Sequence, residues 1–123
     1  MAKTPAERLA LNPFQGSFKR VLCVCTGGAL RSPTAAEVLS QSPYNFNTRS
    51  AGIRPDAIIH ASDTLVRVWA QEIVCMEWDH FKFLKSVRMA TAPVHCLEIP
   101  DDYDFRDPTL QRLIRIKYER VTR

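Results

Sequence analysis

Val21-Leu22-Cys23-Val24-Cys25 runs directly into Thr26-Gly27-Gly28-Ala29-Leu30-Arg31 and then into Ser32-Pro33-Thr34-Ala35-Ala36-Glu37. The first five residues are apolar without interruption, with Lys19-Arg20 before them and two glycines just after. That is the pattern of a strand buried on both faces, as in a parallel sheet. Ser32-Pro33 then opens a helix: serine can cap it, and proline suits the first helical position, where a missing N–H costs nothing. Ala35, Val38 and Leu39 fall on one face of that helix, and Ser42-Pro43 closes it. Strand, glycine turn and helix in immediate succession predict an α/β fold.

The alternation continues downstream. Asn47 to Ala51 reads as a short strand stopped by Gly52, and Arg54 to Ala61 as a loop. Ser62-Asp63 starts a second helix with Leu65, Val66 and Trp69 as its apolar stripe. Ile73 to Met76 is another buried strand, Asp79 to Val87 is helical, and Ala92 to Leu97 is a further strand. After the polar loop from Pro100 to Asp107, Asp107-Pro108 caps a last helix that buries Leu110, Leu113, Ile114 and Val121. The expected architecture is a four-stranded parallel sheet with helices on both faces. Upstream, residues 1–19 form an arm. Thr4-Pro5-Ala6-Glu7 is a capping box that starts a short helix running to about Leu11, and Asn12-Pro13 ends it. Residues 20–123 are the domain, and a chain of 123 residues has room for only one.

With 46% hydrophobic and 24% charged residues, the composition is that of an ordinary globular fold. No stretch approaches the roughly 18 consecutive apolar residues of a membrane helix, and Met1 to Arg20 lacks an apolar core with a cleavage site. A cytoplasmic location without membrane contact is expected. Cys23, Cys25, Cys75 and Cys96 then read as thiols, not a disulfide framework. No Cys-x-x-Cys occurs and His60, His80 and His95 are scattered, so neither metal nor cofactor is expected. Seventeen basic against thirteen acidic residues leave a net charge of +4, which attracts phosphorylated ligands and nucleic acid alike. The basic residues of the last helix (Arg112, Arg115, Lys117, Arg120, Arg123) are not interleaved with aromatics, which argues against stacking on nucleic-acid bases.

In a parallel sheet, ligands bind where strands end and helices begin, and here that place is Cys25 to Ser32. Gly27 and Gly28 are free to take positive φ, so that the N–H groups of Thr26, Gly27, Gly28, Ala29 and Leu30 can turn inward as a nest. The nest abuts a helix N-terminus, whose dipole favours an anion. Arg31 offers a planar fork for two phosphoryl oxygens. A cysteine in such surroundings is held as the thiolate nucleophile, and Ser32 can hydrogen-bond to it. Metal is unnecessary, because arginine and amides neutralise the phosphate charge.

Cys25-x5-Arg31-Ser32-Pro33 resembles the phosphate loop of the low-molecular-weight protein tyrosine phosphatase family. Ala35-Ala36-Glu37 is similar to the start of that family's first helix. Ser50-Ala51-Gly52 resembles its second strand and turn, and Val74-Cys75-Met76-Glu77 the strand with its Val-Met-Asp ending. Ile99-Pro100-Asp101-Asp102-Tyr103 resembles its general-acid loop, and Asp104-Phe105-Arg106-Asp107-Pro108 a compact bacterial group. The likeness runs from Arg20 to Val121. It implies a flavodoxin-like phosphatase fold and a protein tyrosine phosphatase acting through a cysteinyl-phosphate, with Cys25, Arg31 and Asp101 catalytic. It also implies that Ser50 supports the loop and that phosphotyrosine proteins or small phosphomonoesters are the substrates. Asp102 is the rival acid and Asp107 a weaker one, better suited to capping. Tyr103 and Arg54 are expected at the substrate entrance. The chain departs from the family in carrying Gly28 for asparagine, Leu30 where many members have a second cysteine, and a short segment between Gly52 and Ser62. Two other readings remain at this stage. One is a module that binds phospholigands without turning them over. The other is an arsenate reductase, which would need Cys75 or Cys96 to resolve an adduct.

Overall fold

The computed structural model describes residues 18–57 and 59–122; the arm helix expected over residues 4–11 lies outside them. Four strands, β1 (Arg20–Cys25), β2 (Asn47–Gly52), β3 (Glu72–Cys75) and β4 (Val94–Cys96), form one parallel sheet in the order β2-β1-β3-β4. Between and after them lie α1 (Arg31–Leu39), α2 (Thr64–Trp69), α3 (Trp78–Lys82) and α4 (Pro108–Val121). The four-stranded parallel α/β architecture expected from the alternation is the one observed, and it is the flavodoxin-like fold that the resemblance implied.

The period-two geometry of β1 divides the interior. Val21, Cys23 and Cys25 face one side, where Ala35, Ala36, Val38 and Leu39 of α1 meet Leu110, Ile114 and Tyr118 of α4. Leu22 and Val24 face the other, against Leu65 and Val66 of α2 and against Leu84. All five residues from Val21 to Cys25 are buried, which is why the run is apolar without alternation.

Several boundaries differ from the sequence expectation for identifiable reasons. Ser32 does not cap α1. The helix begins two residues earlier than expected, Leu30 is its N-cap without a side-chain bond, and the Ser32 hydroxyl is turned to the Ala51 carbonyl of β2, 3.3 Å away. The segments Thr64–Trp69 and Phe83–Val87 wind with wider turns, closed by Ala70 N–H on the Leu65 carbonyl and Arg88 N–H on the Phe83 carbonyl. Strand β4 is shorter than Ala92 to Leu97, because Pro93 has no N–H to give the ladder. Past β4 the chain stays tethered to β3: Leu97 N–H reaches the Cys75 carbonyl and Ile99 N–H the Met76 carbonyl, both at 2.8 Å. Glu98 between them adopts φ 55°. This tether brings Ile99, Pro100 and Asp101 to the carboxyl edge of the sheet.

The Asp107 carboxylate caps α4 by accepting from Thr109 N–H at 2.8 Å and from Leu110 N–H. The loop before it is fastened to α1, since Arg106 N–H donates to Thr34 Oγ1 and Arg106 Nε to Glu37. At the opposite sheet edge the buried Glu72 carboxylate takes hydrogen bonds from Lys19 and from the Tyr118 hydroxyl.

Candidate active site

Cys25 is the last residue of β1 and is 3% exposed. Its Sγ lies 3.2 Å from the Gly28 N–H and 3.1 Å from Ser32 Oγ. As a thiol it donates to Ser32, which passes its own hydrogen to the Ala51 carbonyl. As a thiolate it has two donors within reach, the Gly28 amide and the Ser32 hydroxyl once that hydroxyl rotates away from Ala51.

The loop that holds this sulfur needs glycine at two places, though not both of those the sequence suggested. Gly28 has φ +69°, whereas Gly27 stays at ordinary φ, and a Cβ there would meet nothing within 4 Å. The second required glycine is Gly52, opposite Cys25 at the end of β2. A Cβ on Gly52 would stand 2.6 Å from the Gly27 carbonyl carbon and 2.7 Å from Gly28 N, and one on Gly28 would stand 2.9 Å from Gly52 N. The two backbones touch, so each glycine occupies the space that a Cβ on the other would need. Two further bonds seal the contact, from Ile53 N–H to the Cys25 carbonyl and from Arg54 N–H to the Thr26 carbonyl. Gly52→Ala is therefore expected to displace the loop, lowering affinity for inorganic phosphate at least about tenfold, with a loss of stability on the order of 1–3 kcal/mol from overpacking. Calorimetric titration and urea unfolding check the two effects.

Arg31, the first residue of α1, is 1% exposed. Its Nη1 donates to Glu77 Oε2 at 2.7 Å and to the Ile99 carbonyl at 2.8 Å, and its Nη2 lies 3.4 Å from Thr26 Oγ1. Its Nε is 3.5 Å from Asp101 Oδ1. One edge of the guanidinium is thus anchored in the protein, while the other faces Asp101 and the loop. Cys25, Thr26, Gly27, Ala29, Leu30, Arg31, Arg54 and Asp101 line one cavity of about 140 Å³. Asp102 is exposed and is not among these lining residues. Tyr103 is half-buried, packed against the α1–α4 core, and is not among these lining residues, whereas Arg54 is one of them. Ser50 is buried on β2 in register with Cys23. Cys75 and Cys96 lie in the core on the other face of the sheet from Cys25.

Sequence reasoning missed His80. Its ring accepts the Glu77 N–H at Nδ1 (3.0 Å) and meets Thr26 Oγ1 at Nε2 (3.0 Å). With the Glu77 side chain taking the His80 backbone N–H, the pair forms a reciprocal cap on α3. The signal was Glu77-x-x-His80 straight after a buried strand, a capping-box spacing with histidine in the place of the usual glutamate. Burial, and then the nearby Arg31 charge, push His80 down to about 4, against the opposing pull of Glu77, Asp79 and Asp101. An unfolded imidazole protonates near its ordinary value of 6.5. Between those two values the unfolded chain binds more protons than the folded one, so stability falls as pH drops from about 6.5 to about 4. The expected loss is roughly 2–3 kcal/mol. Urea midpoints across that range measure it, and His80→Gln should flatten the dependence.

The sheet order, the loop at the end of β1 and the helix that follows define the flavodoxin-like fold of small tyrosine phosphatases. Among solved structures, the tyrosine phosphatase Wzb from Escherichia coli K30, in complex with phosphate, superposes with a TM-score of 0.62 at 20% identity, over 84% of this chain and 95% of that one. Wzb from Vibrio vulnificus, in complex with benzylphosphonate, gives 0.59 at 20% identity, over 85% and 95%. The Erwinia amylovora tyrosine phosphatase AmsI gives 0.58 at 17% identity, over 86% and 95%. No protein-family model matches the chain, and no curated protein sequence matches it. Among the described residues, no helix is long and apolar enough to cross a membrane.

Proposed function

We propose that the protein is a phosphomonoester hydrolase of the tyrosine phosphatase type, working through a cysteinyl-phosphate on Cys25. The observation that carries this reading is the convergence on one cavity of the Cys25 sulfur with its two hydrogen-bonding partners, the Arg31 guanidinium and the Asp101 carboxyl group. Sγ attacks phosphorus as a thiolate, an S–P bond forms, and the P–O bond to the leaving group breaks. The Asp101 carboxyl gives its proton to the departing oxygen. Water then attacks phosphorus, Asp101 takes the proton back, and the S–P bond breaks to return thiolate and inorganic phosphate. Loop amides and the free edge of Arg31 hold the equatorial oxygens throughout, where charge accumulates in the transition state.

Phosphotyrosine proteins are the substrate class that the likeness to Wzb and AmsI supports. Exposed Leu30, Arg54 and Asp101 line the rim, and Arg54 is paired with Asp56. An arsenate reductase is disfavoured, because Cys75 and Cys96 lie across the sheet from Cys25 and cannot reach an adduct on it. The test is phosphate release from p-nitrophenyl phosphate in EDTA, with orthovanadate as inhibitor. A wild-type protein that binds phosphate but releases none from any monoester would instead be a binding module.

Asp101→Asn separates the general acid from a bystander. Hydrolysis of phenyl phosphate, whose leaving group needs a proton, is expected to fall by about 10²–10⁴-fold, while p-nitrophenyl phosphate is affected much less. Asp102→Asn should leave both rates near wild type. Equal losses on the two substrates in Asp101→Asn would contradict the assignment.

A further inference from the structure

Thr26 follows Cys25 and lines the same cavity. A hydroxyl oxygen has two acceptor sites and one hydrogen to give, and at Thr26 both acceptor sites are addressed. Because Nδ1 of His80 accepts the Glu77 N–H, the ring hydrogen must sit on Nε2, which therefore donates to Thr26 Oγ1 at 3.0 Å. Arg31 Nη2 approaches the same oxygen at 3.4 Å. The hydroxyl's remaining capacity is its own O–H, and among the described residues it has no acceptor. The oxygen that receives these two donors stands beside the guanidinium edge that faces the cavity.

We propose that Thr26 is a further catalytic residue, a hydroxyl donor to a phosphoryl oxygen, and that His80 is the positioning residue that turns this hydroxyl outward. The inference rests on the phosphatase reading and adds a side-chain donor to the loop's backbone ones. No bond is made or broken at Thr26: its hydrogen bond strengthens as negative charge collects on the oxygen in flight. Only the neutral ring with its hydrogen on Nε2 can do this, since a second hydrogen on Nδ1 would confront the Glu77 amide. Burial and the Arg31 charge keep the ring neutral, against the opposing carboxylates of Glu77, Asp79 and Asp101.

The deciding comparison is Thr26→Val, which keeps the shape and removes the hydroxyl, against Thr26→Ser, which keeps the hydroxyl. Thr26→Val is expected to lower kcat/KM for p-nitrophenyl phosphate by roughly 10–100-fold and to weaken orthovanadate inhibition in parallel, with a lowered thermal midpoint because the buried His80 Nε2–H loses its acceptor. Thr26→Ser should recover most of both. His80→Leu should lose a similar factor in the wild-type background and almost nothing in the Thr26→Val background, because the two residues act as one unit. A Thr26→Val enzyme within about twofold of wild type, or a serine variant no better than valine, overturns the proposal, as does an undiminished His80→Leu loss in the double variant. If His80→Leu does not fold, the valine–serine pair decides alone. Calorimetric titration of wild type with inorganic phosphate separates the layers. Wild type that neither hydrolyses nor binds phosphate sinks the phosphatase reading and the Thr26 role together. Active wild type with an indifferent Thr26→Val sinks only the latter.

Discussion

Replacing Cys25 by serine is expected to end phosphate release, with turnover down by about 10⁵-fold or more, the scale seen when an enzyme loses its nucleophile. The physical reason is nucleophilicity. Sulfur is intrinsically a far stronger nucleophile than a neutral hydroxyl, and the loop amide and the serine hydroxyl beside this position include no base that would activate an alcohol in its place. The substitution is close to isosteric, and the new hydroxyl keeps Gly28 N–H and Ser32 Oγ as partners, so stability should change little. Inorganic phosphate should still bind, because the amides and Arg31 are untouched. Rate by p-nitrophenolate release and affinity by calorimetry therefore split, with one lost and the other kept. Residual turnover above about a thousandth of wild type would remove Cys25 from the nucleophile's role.

Arg31→Lys should produce the second largest effect, a fall in kcat/KM of roughly 10³-fold, at the upper end of what one transition-state donor contributes. Arginine does two things here at once. Its Nη1 is spent on Glu77 and the Ile99 carbonyl, while its other edge stays planar and directed at the site. Lysine has a single charged nitrogen. Drawn to Glu77 it abandons the phosphate, and drawn to the phosphate it leaves the Ile99 carbonyl without its donor. Breaking a fully buried ion pair costs about 3–5 kcal/mol, but the Glu77 side chain is 46% exposed and can be rehydrated. A stability loss nearer 1–2 kcal/mol is expected, set mainly by the carbonyl. Urea unfolding beside steady-state kinetics reads both effects. A lysine variant with full activity would show that the planar fork is not what the reaction uses.

The difference between Gly27 and Gly28 marks where local reading stops. Both glycines follow a buried strand, and the sequence makes both available for positive φ. Only Gly28 uses it, and a Cβ there would meet the end of β2, whereas one on Gly27 would meet nothing. Gly52 is the counterpart, yet locally it reads as no more than a strand stop. Ser32 is a similar case. Its position before Pro33 is a capping signal, but the Ala51 carbonyl and the Cys25 sulfur outcompete the helix for its hydroxyl.

Local order, then, was written in the chain itself: an unbroken apolar strand, a glycine turn and a proline-started helix, repeated in period, are enough to specify a parallel sheet and to place Cys25 and Arg31 at its carboxyl edge. Those features depend on neighbours within a few residues, and short-range backbone preference and burial decide them. Folding alone decided that Glu77 and Ile99 grip Arg31, that Asp101 rather than Asp102 faces it, that Tyr103 turns to the core, and that His80 reaches Thr26. The contacts of Arg31 and of Thr26 among these join residues 46 to 70 positions apart, across a sheet order in which β1 lies between β2 and β3. Such meetings are fixed by how strands pair and how loops are tethered at their ends, and no window of sequence contains both partners with the strand pairing that joins them.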